Sequence, residues 1–207
     1  MKTLTKEMQT AITPALALEI LKDGNKRFVS NLKINRNLLQ QANETSDGQH
    51  PFAVILSCID SRTSAELIFD QGLGDVFSVR IAGNIVNEDI LGSMEFGCKV
   101  AGAKIIVVLG HTKCGAIKGA CDNVELGNLT SLISKIKPAV DEETATSDNR
   151  TSSNANFVEN VAELNVSLSV KNILLHSPII AQMVKNEEIG IVGAIHDIKT
   201  GEVKFFE

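Results

Sequence analysis

Lys104-Ile-Ile-Val-Val-Leu-Gly-His-Thr-Lys-Cys-Gly-Ala-Ile-Lys-Gly119 is the stretch that decides the fold. It begins with Lys104 to Leu109, four consecutive β-branched residues and a leucine behind a lysine, which is the clearest strand in the chain. From about Cys114 to Cys121 the pattern becomes helical, so the segment reads as a strand running directly into a helix. A strand that is apolar at every position has both faces buried, as in a parallel sheet covered by helices.

Outward from this segment the alternation repeats. Phe52 to Ser57 is a second, almost wholly apolar strand, Ala65 to Asp70 a short helix stopped by Gly72 and Gly74, and Val76 to Val79 a third strand. Asp89 to Val100 and Asn128 to Lys137 read as helices. Asn156 to Lys185 is also helical, broken near Ser177-Pro178 because proline cannot donate to the preceding turn. Ile189 to Ile195 is a strand, Lys199-Thr200-Gly201 a turn, and Val203 to Phe206 a last strand. At the other end, Thr13 caps a helix that Pro14 opens, with Leu18, Leu21, Phe28 and Val29 as its apolar stripe. Leu38 to Gln49 is polar and expected to be irregular, and Asp141 to Asn154 to be a surface linker.

Strands alternating with helices predict an α/β fold: a mainly parallel central sheet flanked by helices, an N-terminal helical arm, and one antiparallel edge strand. The 207 residues are read as a single domain, with the arm over residues 1–50 and the α/β core over 51–207.

Composition narrows the function. The formal charge is −5 and basic clusters are missing, which argues against a nucleic-acid partner. No stretch has the roughly 18 to 20 apolar residues of a membrane span. Cys58, Cys98, Cys114 and Cys121 lie in a chain with apolar runs enough for a core, so metal binding or free thiols fit better than disulfides. A reducing compartment, and by default the cytoplasm, is expected.

Two blocks carry chemistry: Cys58-Ile59-Asp60-Ser61-Arg62 and His111-Thr112-Lys113-Cys114-Gly115, 48 residues apart. Both fall at the carboxyl ends of predicted strands, the edge where ligands gather in open α/β sheets. Cys58, His111 and Cys114 form a Cys₂His set, which suits a catalytic zinc with one coordination position open. Two thiolates cancel the charge of the ion, so a nearby acceptor is needed to favour the hydroxide form of its water. Asp60 supplies one, and Arg62 can hold it ionised through a forked pair. If the chain stays extended after Cys58, Asp60 and Arg62 face the same side as that cysteine. Binding zinc alone requires neither, which separates a catalytic centre from a merely structural one. Cys98 and Cys121 are read as packing residues, and His50, His176 and His196 as solvated or packed, with a proton relay to buffer by one of them as the alternative. Gly72-Leu73-Gly74 precedes a strand, so it makes a poor nucleotide loop.

These blocks and their surroundings resemble the β-class carbonic anhydrases. The similarity runs from about Thr13 to Val203 through ALEILKDGNKRFVSN, CIDSR, FDQGLGDVFSVRIAGN, VVLGHTKCGAIKGA and IGIVGAIHDIKTG. It implies a lyase that hydrates carbon dioxide reversibly to bicarbonate and a proton, by attack of zinc-bound hydroxide, with one Zn²⁺ per subunit. Position by position, Cys58, His111 and Cys114 would ligate zinc, and Asp60 with Arg62 would form the catalytic dyad. Gln49, Phe77 and Phe96 would meet the substrate, Phe96 standing where tyrosine is common. The resemblance also implies a homodimer or dimer of dimers with the site at the subunit interface. One branch of the family has a regulatory bicarbonate site with a tryptophan three residues before the first zinc cysteine. Here that residue is Ile55, and only the site's arginine is matched, by Arg80. No bicarbonate switch is therefore expected. Ile59 stands where a small residue is common. Hydrolysis of CS₂ or COS on the same scaffold is the rival chemistry.

Overall fold

The computed structural model describes residues 3–206. Five strands form one sheet in the order β2-β1-β3-β4-β5: β1 Ala53–Ser57, β2 Val76–Arg80, β3 Ile105–His111, β4 Gly190–His196 and β5 Val203–Phe205. The first four are parallel, and β5 alone runs antiparallel, against β4. The expected architecture is therefore the observed one.

Alternation along β1 and β3 builds two cores. Val54, Leu56, Ile106 and Val108 face α5 (Glu88–Glu95), α9 (Ala155–His176) and α10 (Pro178–Lys185) through Leu91, Met94, Val166, Ile173 and Ile180. Ala53, Ile55, Ile105, Val107 and Leu109 face α2 (Pro14–Val29) and α4 (Ala65–Ile68) through Ala17, Leu21 and Ile68. Each large aliphatic side chain removed from water here contributes about 1.5–3 kcal/mol. A third cluster packs α6 (Gly115–Cys121), α7 (Gly127–Ser134) and α8 (Lys137–Glu142) against the start of α9, with Cys58 and Cys114 at its border. None of the described helices is long and apolar enough to cross a membrane.

Helix ends follow the sequence signals. Thr13 accepts a hydrogen bond from Leu16 N–H at the start of α2. Ser177 separates α9 from α10, accepts from Ile180 N–H and donates to Glu95.

Three stretches differ from expectation. Asp141–Asn154, expected as a surface linker, begins within α8 and buries Glu143, which Arg150 holds by an ion pair. Leu38–Glu44 is a helix, α3, which follows the short α1 (Lys6–Ala11) and α2 in the arm. Asn37 caps it by accepting from Gln40 N–H, and Gln41 is buried because its Oε1 accepts from Leu73 N–H at 3.2 Å. A tertiary hydrogen bond thus substitutes for the apolar stripe this helix lacks. The helix expected over Asp89–Val100 changes to a wider π turn at Phe96–Val100. Gly97 lies there so close to the sheet that a Cβ would sit 2.7 Å from Val54 Cγ2.

Candidate metal centre

The parallel register of β1 and β3 pairs Ser57 with Leu109, so Cys58 emerges beside His111 at the carboxyl edge of the sheet. Lys113 takes a left-handed conformation (φ 58°) that turns the chain back and brings Cys114 to the start of α6. The three ligand atoms of Cys58, His111 and Cys114 lie within 4.8 Å of one another, and all three residues are buried. The two sulfurs are 4.0 Å apart.

Local contacts prepare this cluster for a cation. His111 Nδ1 lies 2.9 Å from the Thr112 carbonyl, which holds the proton on Nδ1 and leaves Nε2 facing the cysteines. That buried Nε2 has no protein partner among the described residues. Cys58 Sγ accepts from Gly83 N–H at 3.4 Å. Gly83 has φ 66°, and a Cβ there would meet Ile136 Cδ1 at 2.6 Å, so glycine alone brings this donor to the sulfur. The Cys114 thiol, opposed by burial and aided by His111 and Gly83, pulls the Cys58 pKa down to about 4. The remaining proton stays on Cys114, whose pKa the Cys58 thiolate and burial push upward. A soft-donor set of two cysteine sulfurs and one unmet imidazole nitrogen fits a zinc-like ion.

Asp60 and Arg62 meet in the expected fork. Arg62 Nε donates to Oδ1 at 2.9 Å and Nη2 to Oδ2 at 2.7 Å, while Arg62 N–H also reaches Oδ1 at 2.9 Å. Arg62 thereby holds the Asp60 carboxyl well below the usual carboxylate range. The route differs from simple extension, because Thr63 N–H donates to the Asp60 carbonyl and turns the chain there. It is a turn, rather than the period of a strand, that puts the guanidinium on the carboxylate.

Two residues outside the motif hold this loop. Arg80, on edge strand β2, donates from Nε to the Cys58 carbonyl at 3.0 Å and from Nη2 to the Asp60 carbonyl at 2.6 Å. Thr63 Oγ1 lies 2.9 Å from the same Asp60 carbonyl. Nothing in the sequence around Thr63 signals this role. His196 is packed rather than solvated. It is the register partner of His111, only 3% exposed, and burial together with His111 pulls its pKa down to about 4.

Gln49, Phe77 and Phe96 do not join the cluster within the subunit. Gln49 is exposed and lies ahead of β1, before the strand that leads to Cys58. Phe77 pairs in register with Val54, four residues before Cys58. Its ring meets Phe96 edge-on at 6.2 Å, and Phe96 is 54% exposed. Together they line an open groove beside β2 that also includes Arg80 and Glu88.

Residues 53–203 match the family model described as carbonic anhydrase. The chain is 33% identical over 192 residues to a carbonic anhydrase of Mycolicibacterium smegmatis, covering 92% of each chain. It is 32% identical over 200 residues to carbonic anhydrase 2 of Mycobacterium tuberculosis, covering 91% of this chain and 90% of the relative. A β-carbonic anhydrase of Aspergillus fumigatus superposes with a TM-score of 0.73 at 25% identity, over 93% and 90% of the two chains. A β-carbonic anhydrase of Sordaria macrospora, described as tetrameric, superposes at 0.70 with 26% identity, over 81% and 89%. With its mainly parallel sheet and its Cys-His-Cys cluster at the carboxyl edge, the chain belongs to the β-class carbonic anhydrases. It is an enzyme of reversible carbon dioxide hydration.

Proposed function

We propose that Cys58, His111 and Cys114 hold one zinc ion per subunit and that Asp60 and Arg62 are the catalytic pair beside it. The observation that carries this reading is the buried, unpartnered His111 Nε2 among two cysteine sulfurs, next to a forked Asp60–Arg62 pair. When bound, the metal supplies a water acidified to a pKa near ~7.

The chain's own residues do the rest. Asp60, ionised by Arg62, accepts a hydrogen bond from the reacting O–H and aims the oxygen lone pair at the carbon of CO₂. Addition of that oxygen turns one C=O bond into C–O⁻, giving bicarbonate, and the proton of the water leaves to buffer. Arg80 and Thr63 keep Asp60 in place by satisfying the loop's carbonyls. The buried apolar border of Ile85 and Ile117 limits bulk water.

The substrate side of the site takes a second subunit. Strand β2 leaves one hydrogen-bonding edge open, and Phe96 and Val100 are exposed nearby at 54% and 70%. A homodimer, or a dimer of dimers, would bring Gln49, Phe77 and Phe96 from one protomer towards the metal centre of its partner. CO₂ is apolar and linear, so an aromatic wall beside one amide suits it. Four free cysteines fit a reducing compartment, and we assign the protein to the cytoplasm.

The test pairs zinc stoichiometry with stopped-flow CO₂ hydration for wild type, Cys58→Ser and Asp60→Asn. One zinc per wild-type subunit with rapid hydration, metal lost in Cys58→Ser, and metal kept without rate in Asp60→Asn is the expected pattern. Full zinc loading with no hydration at any pH would sink the reading.

A further inference from the structure

His196 ends β4 as His111 ends β3, and the two are partners in the sheet register. Their segments are tied together: Thr112 N–H donates to the His196 carbonyl at 3.0 Å, and Ile198 N–H donates to Thr112 Oγ1 at 3.1 Å. The His196 backbone is thus tied to the segment that follows His111. Asp60, Arg62 and Asp197 are near enough for their charges to act on it.

The ring is 3% exposed, yet neither Nδ1 nor Nε2 has a protein partner among the described residues. No protonation state removes the difficulty. A neutral imidazole has one donor and one acceptor, and a charged one has two donors. Buried polar groups in native proteins are met by protein or by ordered water, and such water collects where polar groups converge. A histidine serving only as filler has no need of two nitrogens at this position. A phenyl ring would fill the space without the desolvation cost.

We infer that His196 is a positioning residue whose imidazole holds an ordered water on the inner side of the metal centre, beside His111. That water orders the hydrogen-bond network from which the reacting water is drawn. The inference rests on the metal reading above, because it assigns His111 Nε2 to the ion and leaves both ring nitrogens of the neighbouring His196 without a partner among the described residues.

The experiment uses the full-length protein loaded with zinc and, separately, with cobalt(II). A high-resolution crystal structure of the wild type should show a water within hydrogen-bond distance of a His196 ring nitrogen. His196→Phe should still bind one metal per subunit but change the cobalt absorption spectrum and lose about tenfold or more in turnover, the usual scale for outer groups at a metal site. His196→Gln, which keeps a donor and an acceptor, should restore much of both. Ring nitrogens bonded directly to protein groups, or a Phe variant with wild-type spectrum and turnover, would overturn the inference. If the Phe variant does not fold, the wild-type water and the Gln variant's spectrum decide it. Wild-type zinc content and hydration, measured alongside, report on the metal reading independently.

Discussion

Arg80 reaches from the edge strand to the loop after β1 and donates to the carbonyl of Cys58 at 3.0 Å. With its second bond, to the Asp60 carbonyl, it ties the Cys58 ligand candidate and the Asp60 loop to the edge strand. Substituting Arg80→Ala strips both carbonyls of a charged donor, a change of about 1–3 kcal/mol. Zinc affinity should fall by about 10- to 100-fold as the loop loosens. Chelator competition and thermal denaturation of the loaded protein measure the two effects.

Asp60→Asn keeps the shape of the side chain and removes the charge that Arg62 holds. Turnover should drop by at least about 10²-fold, the scale of a positioned acceptor group. Zinc content should stay at the wild-type level. A variant that loses metal together with rate would show that Asp60 is a structural element of the cluster.

Glu143 is buried at 2% exposure, and burial alone would raise its pKa. Hydrogen bonds from Asn160, Thr146 and Arg150 outweigh that and lower it. A carboxyl lowered in the folded state contributes stability that is present above its unfolded value, near ~4.3, and lost as pH falls through the folded value. Acid unfolding monitored by circular dichroism should therefore steepen below about pH 4 in wild type. Glu143→Gln should be less stable at neutral pH and flatter in that acid range.

Phe157 is fully buried in the cluster beneath α6, with the Arg150 guanidinium 4.7 Å from its ring centroid. Phe157→Ala should cost about 3–5 kcal/mol in urea unfolding of the zinc-loaded protein. Because Cys58 and Cys114 border the same cluster, metal release on unfolding should occur in the same transition.

Ile55 has no exposed surface, and the Arg80 guanidinium is engaged with two carbonyls. A bicarbonate switch at this position has no polar partner at Ile55, and Arg80 already commits Nε and Nη2 to the Cys58 and Asp60 carbonyls. Hydration rates at mildly acidic pH should fall with added bicarbonate only as product inhibition dictates. Cooperative loss of activity would contradict this.

Much of the site was legible because its chemistry is written in short blocks. Cys58, Asp60 and Arg62 lie within five residues, and His111 and Cys114 within four, each block behind an all-apolar strand. The strands themselves were legible because β-branched runs buried on both faces have few other uses. Less visible were interactions that depend on a distant partner. Leu38–Glu44 lacks a stripe because Gln41 is anchored by Leu73, and Arg80 is an ordinary charged strand residue until the Cys58 loop lies beside it. His196 looked like any histidine after a strand.

By itself the sequence determined most element types, the Cys-His-Cys set as a candidate cluster and the pairing of Asp60 with Arg62, because these depend on local residue order and side-chain chemistry. Only the tertiary structure decided that β1 and β3 are neighbours in register, which carries Cys58 to His111, and that His196 stands next to it. It also decided that Gln49 is exposed and outside the Cys58, His111 and Cys114 cluster of its own chain. Sheet register is a long-range choice made by packing both faces at once, and a linear pattern does not contain it.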